Sequence, residues 1–266
     1  MIKANILSES KDRKVIEHRG IFSVIEYQRD MSVAPAMAAE AYFSSLMEVK
    51  KRQLVALISN NLGVVAQKGR MQLMLGDIKA TTDIKGAGDL MKKFIGSTVT
   101  GETAIKPLYT GEGTLVLEPS YRYILLEDLK DWTSGMIVED GMFLACENSV
   151  NISVSSRGNV SSAVFGGEGL FNSCFTGEGV VALESPVPRE ELIILDVTDD
   201  VVKIDGNMAI AWSKGFDFTV ERTTPTLVGS VAAGEGLVNV YRGTGKILIA
   251  PVRCNRGIPS PANNKK

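Results

Sequence analysis

One spacing, 66 residues, constrains this chain more than any other feature. Tyr109-Thr-Gly-Glu-Gly-Thr-Leu-Val-Leu-Glu-Pro119 is followed by Phe175-Thr-Gly-Glu-Gly-Val-Val-Ala-Leu-Glu184 and then by Tyr241-Arg-Gly-Thr-Gly-Lys-Ile-Leu-Ile-Ala-Pro251, so the leading aromatics fall at 109, 175 and 241. Glycine pairs travel with them, at 111 and 113, 177 and 179, 243 and 245. A second marker stands upstream of each aromatic: Gly96-Ser-Thr-Val-Thr-Gly-Glu102, Ser162-Ala-Val-Phe-Gly-Gly-Glu168 and Gly229-Ser-Val-Ala-Ala-Gly-Glu235. A third links Asp140-Gly-Met-Phe-Leu-Ala145 to Asp205-Gly-Asn-Met-Ala-Ile-Ala211. Three landmarks in one order at one period point to tandem copies of a single supersecondary unit.

Each copy reads as β structure. Leu115-Val116-Leu117, Val180-Val181-Ala182-Leu183 and Ile247-Leu248-Ile249 are apolar runs entered from a Gly-x-Gly turn. Phe216-Asp-Phe-Thr-Val-Glu-Arg222 alternates with the period of a half-buried strand. Asp140-Gly141 and Asp205-Gly206, set between apolar runs, predict hairpins. The paired glycines predict positive φ or close backbone approach at a turn or bulge. The units fall at about 21–119, 120–186 and 187–252 within one domain spanning 1–252, and the polar tail 253–266 reads as disordered. The third unit stops at Pro251, where the first two run on into Tyr123–Leu126 and Leu192–Leu195. Because an unpaired edge is a liability, the run Ile21–Tyr27 is expected to complete the third unit and close the chain on itself.

Two segments depart from the repeat. Residues 36–50 are rich in helix formers, with Pro35 suited to a first turn. From Met71 to Glu102 is 31 positions, against 26 from Met142 to Glu168, and the excess around residues 86–96 reads as a short amphipathic helix.

Composition narrows function mainly by exclusion. The formal net charge of −2 exerts no long-range pull on nucleic acid or anionic membranes. Three cysteines, Cys146, Cys174 and Cys254, without C-x-x-C spacing indicate neither a disulfide framework nor a zinc site. Buried reduced thiols and the lack of a signal-peptide pattern at Met1–Ser10 read as a cytoplasmic protein, and no apolar run is long enough for a membrane span.

Catalytic and cofactor motifs fail in turn. His18 is the only histidine, so histidine triads and histidine-rich metal sites are excluded, and its charged surroundings read as solvated surface. Gly243-Thr-Gly-Lys246 is followed by Ile247 and a strand, which rules out a phosphate loop; no dinucleotide fingerprint is present either. The basic clusters Lys50-Lys51-Arg52 and Lys92-Lys93 lack interleaved aromatics and read as solvated helix ends, against nucleic-acid binding. Leu90-Met-Lys-Lys-Phe-Ile95 is too short to anchor at a membrane surface alone. The repeated glutamates remain as candidate binding turns. Glu102, Glu168 and Glu235, with Glu112 and Glu178, either converge on an axis, where clustered carboxylates bind a divalent cation, or are solvated turn residues and ion-pair partners. Thr244 breaks the second ring in the third copy.

Gly-Gly-Glu-Gly-Leu-Phe-Asn (166–172), Ile-Asp-Gly-Asn-Met-Ala-Ile-Ala-Trp-Ser (204–213) and Gly-Glu-Gly-Leu-Val-Asn-Val-Tyr-Arg-Gly-Thr-Gly (234–245) resemble the bacterial branch of the "altered inheritance of mitochondria" family, a domain of unknown function, from about residue 20 to Val252. The resemblance implies a fold like that of the tryptophan RNA-binding attenuation protein, in which three antiparallel β units pack about a pseudo-threefold axis. It implies no catalytic residues and no cofactor. The expected protein is mostly β, with one or two short helical inserts. Its expected role is non-enzymatic binding or scaffolding, with a homo-oligomer or a protein partner. The alternative is a small-ligand, sugar or divalent-cation binder, or a weak enzyme, working through the Gly-Glu turns.

Overall fold

The computed structural model of the protein describes residues 2–82, 106–156, 171–222 and 237–252. The chain opens with the hairpin β1 (Arg13–Arg19) and β2 (Phe22–Tyr27), reversed at Gly20 with φ 56°. A 3-10 turn at Pro35–Met37 leads into α1 (Ala38–Leu46), the one α-helix among the described residues. β3 (Arg52–Ile58), β4 (Val64–Ala66), β5 (Met71–Thr81) and β6 (Leu108–Leu117) follow. Next come β7 (Tyr123–Asp128), β8 (Met136–Val138), β9 (Phe143–Glu147), β10 (Val150–Ser156), β11 (Phe171–Gly177) and β12 (Val180–Ser185). β13 (Ile193–Asp205), β14 (Ala209–Ser213), β15 (Asp217–Arg222) and β16 (Leu237–Ile249) are the last of the described strands. The protein is mostly β, as its apolar alternation predicts.

All pairings among the described residues are antiparallel. A nine-stranded sheet runs β1-β2-β3-β6-β4-β9-β12-β7 with β5 also on β6, and a seven-stranded sheet runs β10-β11-β8-β14-β16-β13 with β15 also on β16. The same registers recur along the chain. Tyr109 lies opposite Val64, Phe175 opposite Met136 and Tyr241 opposite Val202. Leu115 pairs Met74, Val181 pairs Cys146 and Ile247 pairs Trp212. One residue is then skipped in each case, Gln72, Leu144 and Ile210, so that a β-bulge sits at the same place in β5, β9 and β14. Two further strand pairs match as well: Val64 faces Glu147, and Met136 faces Ser213.

The repeated aromatics are buried, each in a different apolar cluster. Tyr109 packs with Phe22, Leu54 and Leu144, Phe175 with Trp132, Phe143 and Leu248, and Tyr241 with Trp212, Phe216 and Ile247. Phe143 and Phe175 stack with centroids 5.2 Å apart.

Several expectations need correction. β2 is taken on one edge by β1 and on the other by β3, so Ile21–Tyr27 extends the first unit and does not complete the third. A β-strand has only two edges, and proximity in sequence filled both. The Gly-x-Gly segments at 111–113 and 243–245 lie inside the unbroken strands β6 and β16; only Gly177 and Gly179 flank a turn. At Gly111 a Cβ would stand 2.0 Å from the carbonyl oxygen of Asp77, so the β5 backbone requires glycine there. Gly141 and Gly206 adopt φ of 76° and 55° as tight turns demand, but the strands they join do not pair with each other. β8 and β9 lie in different sheets, and β13 and β14 flank β16. The pairing also sets Met71 opposite the same position as Phe143, not Met142. Leu75 to Tyr109 is then 34 positions, against 28 from Glu147 to Phe175 and from Ser213 to Tyr241. The expected helix at 86–96 and the tail 253–266 lie outside the described residues.

Candidate partner-binding site

Helix α1 has no buried residue. Tyr42, Phe43, Leu46 and Met47 are between 60% and 77% exposed. Phe43, Leu46 and Met47 are spaced three and four apart and share one helix face, with the Tyr42 ring edge-on to Phe43 at 5.5 Å. Glu40 is the only charged side chain in the helix. A nine-residue helix that buries nothing is marginal alone. Its position here is set by anchors at both ends.

On the N-terminal side the anchor is Asp30, which accepts hydrogen bonds from Ser32 Oγ at 2.6 Å, from Ser32 N at 3.0 Å and from Tyr121 Oη, and pairs with Lys51 Nζ at 2.7 Å. Burial pushes the Asp30 carboxyl up, but the hydrogen bonds from Lys51, Ser32 and Tyr121 outweigh it and hold the pKa well below the usual carboxylate range. Burial and the Asp30 carboxylate together raise the Tyr121 phenol to about 12.

On the C-terminal side, Glu48 takes a left-handed φ of 61° and ends the helix. Its carbonyl accepts from Arg52 Nη2 and from Tyr123 Oη, each at 3.2 Å. The Arg52 guanidinium lies 3.8 Å over the Tyr123 ring and pairs with Glu26 Oε2 at 2.7 Å. The side chains of Arg52 and Glu26 are only 3% and 10% exposed. Lys50 is held by Glu48 and, at 3.6 Å, by Glu26. The run Lys50-Lys51-Arg52 is therefore no solvated helix end. Each of its cations is engaged by a carboxylate, which leaves no open basic patch at this place.

Two clefts flank α1. One, of about 440 Å3, lies between the helix and the body, walled by Tyr27, Val33, Met37, Ala41, Val49 and Tyr121. The other, of about 660 Å3, opens beyond the helix C-terminus and is lined by Glu17, Arg19, Glu26, Arg52, Arg189 and Glu190. Burial raises the Glu17 carboxyl, with Arg189 and Arg19 pulling it back down. Arg189 pairs with the buried Glu127, which also accepts from Trp132 Nε1 at 3.1 Å.

Of the repeated glutamates, two lie among the described residues, and these two are not brought together. Glu112 is exposed on β6 and accepts from Asn60 Nδ2 at 2.8 Å, and Glu178 is exposed in the β11–β12 turn. Glu102, Glu168 and Glu235 lie outside the described residues, among which no group of three or more histidine, cysteine or acidic side chains is placed to hold a metal ion. His18 is exposed on β1 with Nδ1 3.0 Å from Ser23 Oγ. No helix among the described residues is long and apolar enough to cross a membrane.

With the geometry in place, comparison with known proteins fixes the family. The model of Mitochondrial biogenesis AIM24 matches residues 46–252. This chain belongs to the AIM24 family. The AIM24 match begins at the last residue of α1, so the β1–β2 hairpin and nearly all of the helix precede it. An uncharacterized protein of Streptococcus pyogenes serotype M6 is 29% identical over 204 residues, covering 70% of this chain and 75% of that protein. The X-ray crystal structure of a Streptococcus pyogenes protein superposes with a TM-score of 0.58 at 25% identity, covering 78% of this AIM24 chain and 90% of the other.

Proposed function

We propose that this AIM24-family protein is a non-enzymatic binding or scaffolding protein, a β body of three copies about a pseudo-threefold axis that presents α1 to a protein partner. The exposed face of α1 carries the reading: four large apolar side chains stand in solvent on the helix and its C-cap, with a half-buried polar anchor on the N-terminal side and a buried one on the C-terminal side. Contiguous exposed apolar surface marks an interaction site, and a pinned helix loses little entropy on docking. The helix bears one acid and no base, which favours a protein partner over an anionic membrane or nucleic acid. The recurring registers and the threefold bulge support the three-copy body. We place the protein in the cytoplasm as a homo-oligomer. The test is affinity capture from the native cell with the wild-type chain and a Phe43→Ser/Leu46→Ser variant, partners identified by mass spectrometry. A partner recovered with the wild type and lost with an equally stable variant is the expected result. Identical recovery with both would sink the reading.

The small-ligand alternative shifts from the glutamate turns to the mixed-charge cleft beyond α1, where Glu17 and Arg189 face one volume. A thermal-shift screen with metals, sugars and nucleotides separates the two. A stabilising ligand whose effect is lost in Arg189→Ala favours the cleft.

A further inference from the structure

The cleft beyond the C-terminus of α1 holds more carboxylates than its arginines engage. Arg52 is taken by Glu26 at 2.7 Å, Arg189 by the buried Glu127 and Arg19 by Asp131 at 3.5 Å. Glu17, Glu190 and Glu191 line the same volume of about 660 Å3, and among the described residues none of the three has an ion-pair partner. Arg189 and Arg19 act on Glu17 from beyond ion-pair distance, and burial still raises its carboxyl. A carboxylate half withdrawn from water without a paired cation is held at a cost. The surplus of acid makes the cleft complementary to a cation.

The sequence brings cations to this place. β16 ends against the start of β13, with Ile249 opposite Ile193, and Glu191 stands two residues before Ile193. Ala250 and Leu192 are buried in one apolar cluster, so the chain leaves the body on the side of Glu190 and Glu191. Residues 253–266 then carry Arg253, Arg256, Lys265 and Lys266 and no acid, past the end of the family match at 252. Strand spacing puts Val252 within about 25 Å of Glu191. The 14 residues of 253–266 span about 46 Å when extended, so the cleft is within their reach.

We propose that the cleft receives the chain's own basic segment 253–266, with Arg253 and Arg256 set among Glu17, Glu190 and Glu191. The occupant follows from the charge match and from the point at which the chain leaves the body, and it does not depend on the α1 reading. Exposed ion pairs are individually weak, but a tethered segment meets its site at high effective concentration, and salt releases it. A small ligand entering the cleft has to displace this segment.

The test uses the full chain carrying Cys254→Ser/Ser260→Cys. Cys146 and Cys174 are buried, so a thiol-reactive nitroxide attaches at position 260. At low salt the nitroxide should broaden the methyl NMR signals of Ile16 and Met47, two walls of the cleft. The broadening should be lost at 1 M salt, where charges are screened within about 3 Å. It should also be lost in Glu190→Lys/Glu191→Lys, at two exposed positions, with the melting temperature unchanged, and should persist in Glu112→Lys, on β6 outside the cleft. No broadening at low salt, or broadening indifferent to both salt and charge reversal, overturns the proposal. Broadening seen only when isotope-labelled chains are mixed with separate nitroxide-labelled ones places the segment on a second copy and overturns it as well. Signals that shift with added spermidine but never broaden assign the cleft to an outside cation instead, with the same consequence. None of these substitutions touches Phe43 or Leu46, so partner capture by α1 succeeds or fails separately.

Discussion

Glu147 and Ser213 stand 66 residues apart and do the same thing: each side chain accepts the backbone N–H of the residue 33 positions ahead, Val180 at 3.0 Å and Lys246 at 2.9 Å. Glu147 also accepts from Ile21 N at 3.1 Å, which ties the N-terminal hairpin to β12. Removing the carboxylate leaves both of these buried donors without an acceptor. Glu147→Ala should therefore cost about 3 kcal/mol, lowering the melting temperature by several degrees, while Ser213→Ala should cost about 1 kcal/mol. Thermal unfolding of the two variants checks this. Equal losses would show that the hairpin contact contributes nothing.

The strands were legible in the sequence because their apolar residues alternate or run together, and the 66-residue spacing led directly to Tyr109, Phe175 and Tyr241, all buried. The roles of the glycines were not legible. Gly111 is needed because the carbonyl of Asp77, on a strand more than thirty residues upstream, would meet its Cβ, and nothing near Gly111 in the sequence announces that. The helix at 36–50 was visible from propensity, yet it stops at Leu46 because Arg52 and Tyr123 capture the carbonyl of Glu48. Those partners come from β3 and β7. The candidate site went the same way. Glu26 inside an apolar strand and Arg52 before another are each visible as oddities, but only the β2–β3 register sets them opposite one another.

That cross-strand pair should be strongly coupled. Arg52 and Glu26 are both largely desolvated, so removing either leaves an uncompensated charge. Arg52→Ala or Glu26→Ala is expected to cost about 3–5 kcal/mol. The double variant should cost clearly less than the sum of the two. Arg52→Lys will not restore stability, because an ammonium cannot stack on Tyr123 while reaching both Glu26 and the carbonyl of Glu48. A double-mutant cycle in denaturant supplies the coupling energy. Simple additivity would show that the two groups act independently.

Asp30 makes the α1 anchor sensitive to acid. Its folded pKa lies below that of the unfolded chain, so the stability it contributes is fully present above the unfolded value, about 3.9, and is lost as pH falls through the folded one. Glu17 works in the opposite sense, since its raised pKa penalises the folded state as the carboxylate ionises. Asp30→Asn should flatten the acid limb of the stability curve below about pH 4. At the alkaline end the sign reverses. Tyr121, raised to about 12, contributes stability that is complete below about pH 10 and lost as pH rises beyond it. Tyr121→Phe should remove that alkaline dependence. Chemical denaturation across pH reads both effects, and an acid limb unchanged in Asp30→Asn would rule out this carboxylate as its source.

Cys146 and Cys174 are free thiols, both buried. Burial pushes the Cys146 thiol far above its ordinary range, Lys106 counteracting only in part. Because the thiolate is the reactive form, neither access nor ionisation favours modification of Cys146 at pH 8, and burial shields Cys174. Native protein should leave both cysteines unlabelled by a maleimide over hours, and labelling should appear with the unfolding transition in denaturant. Cys146 lies in β9 opposite Val65 of β4, so its labelling rate also reports the opening of that pairing. Peptide mass spectrometry gives the site-resolved rates. Rapid labelling of Cys146 in the absence of denaturant would mean that β4 and β9 separate well below global unfolding.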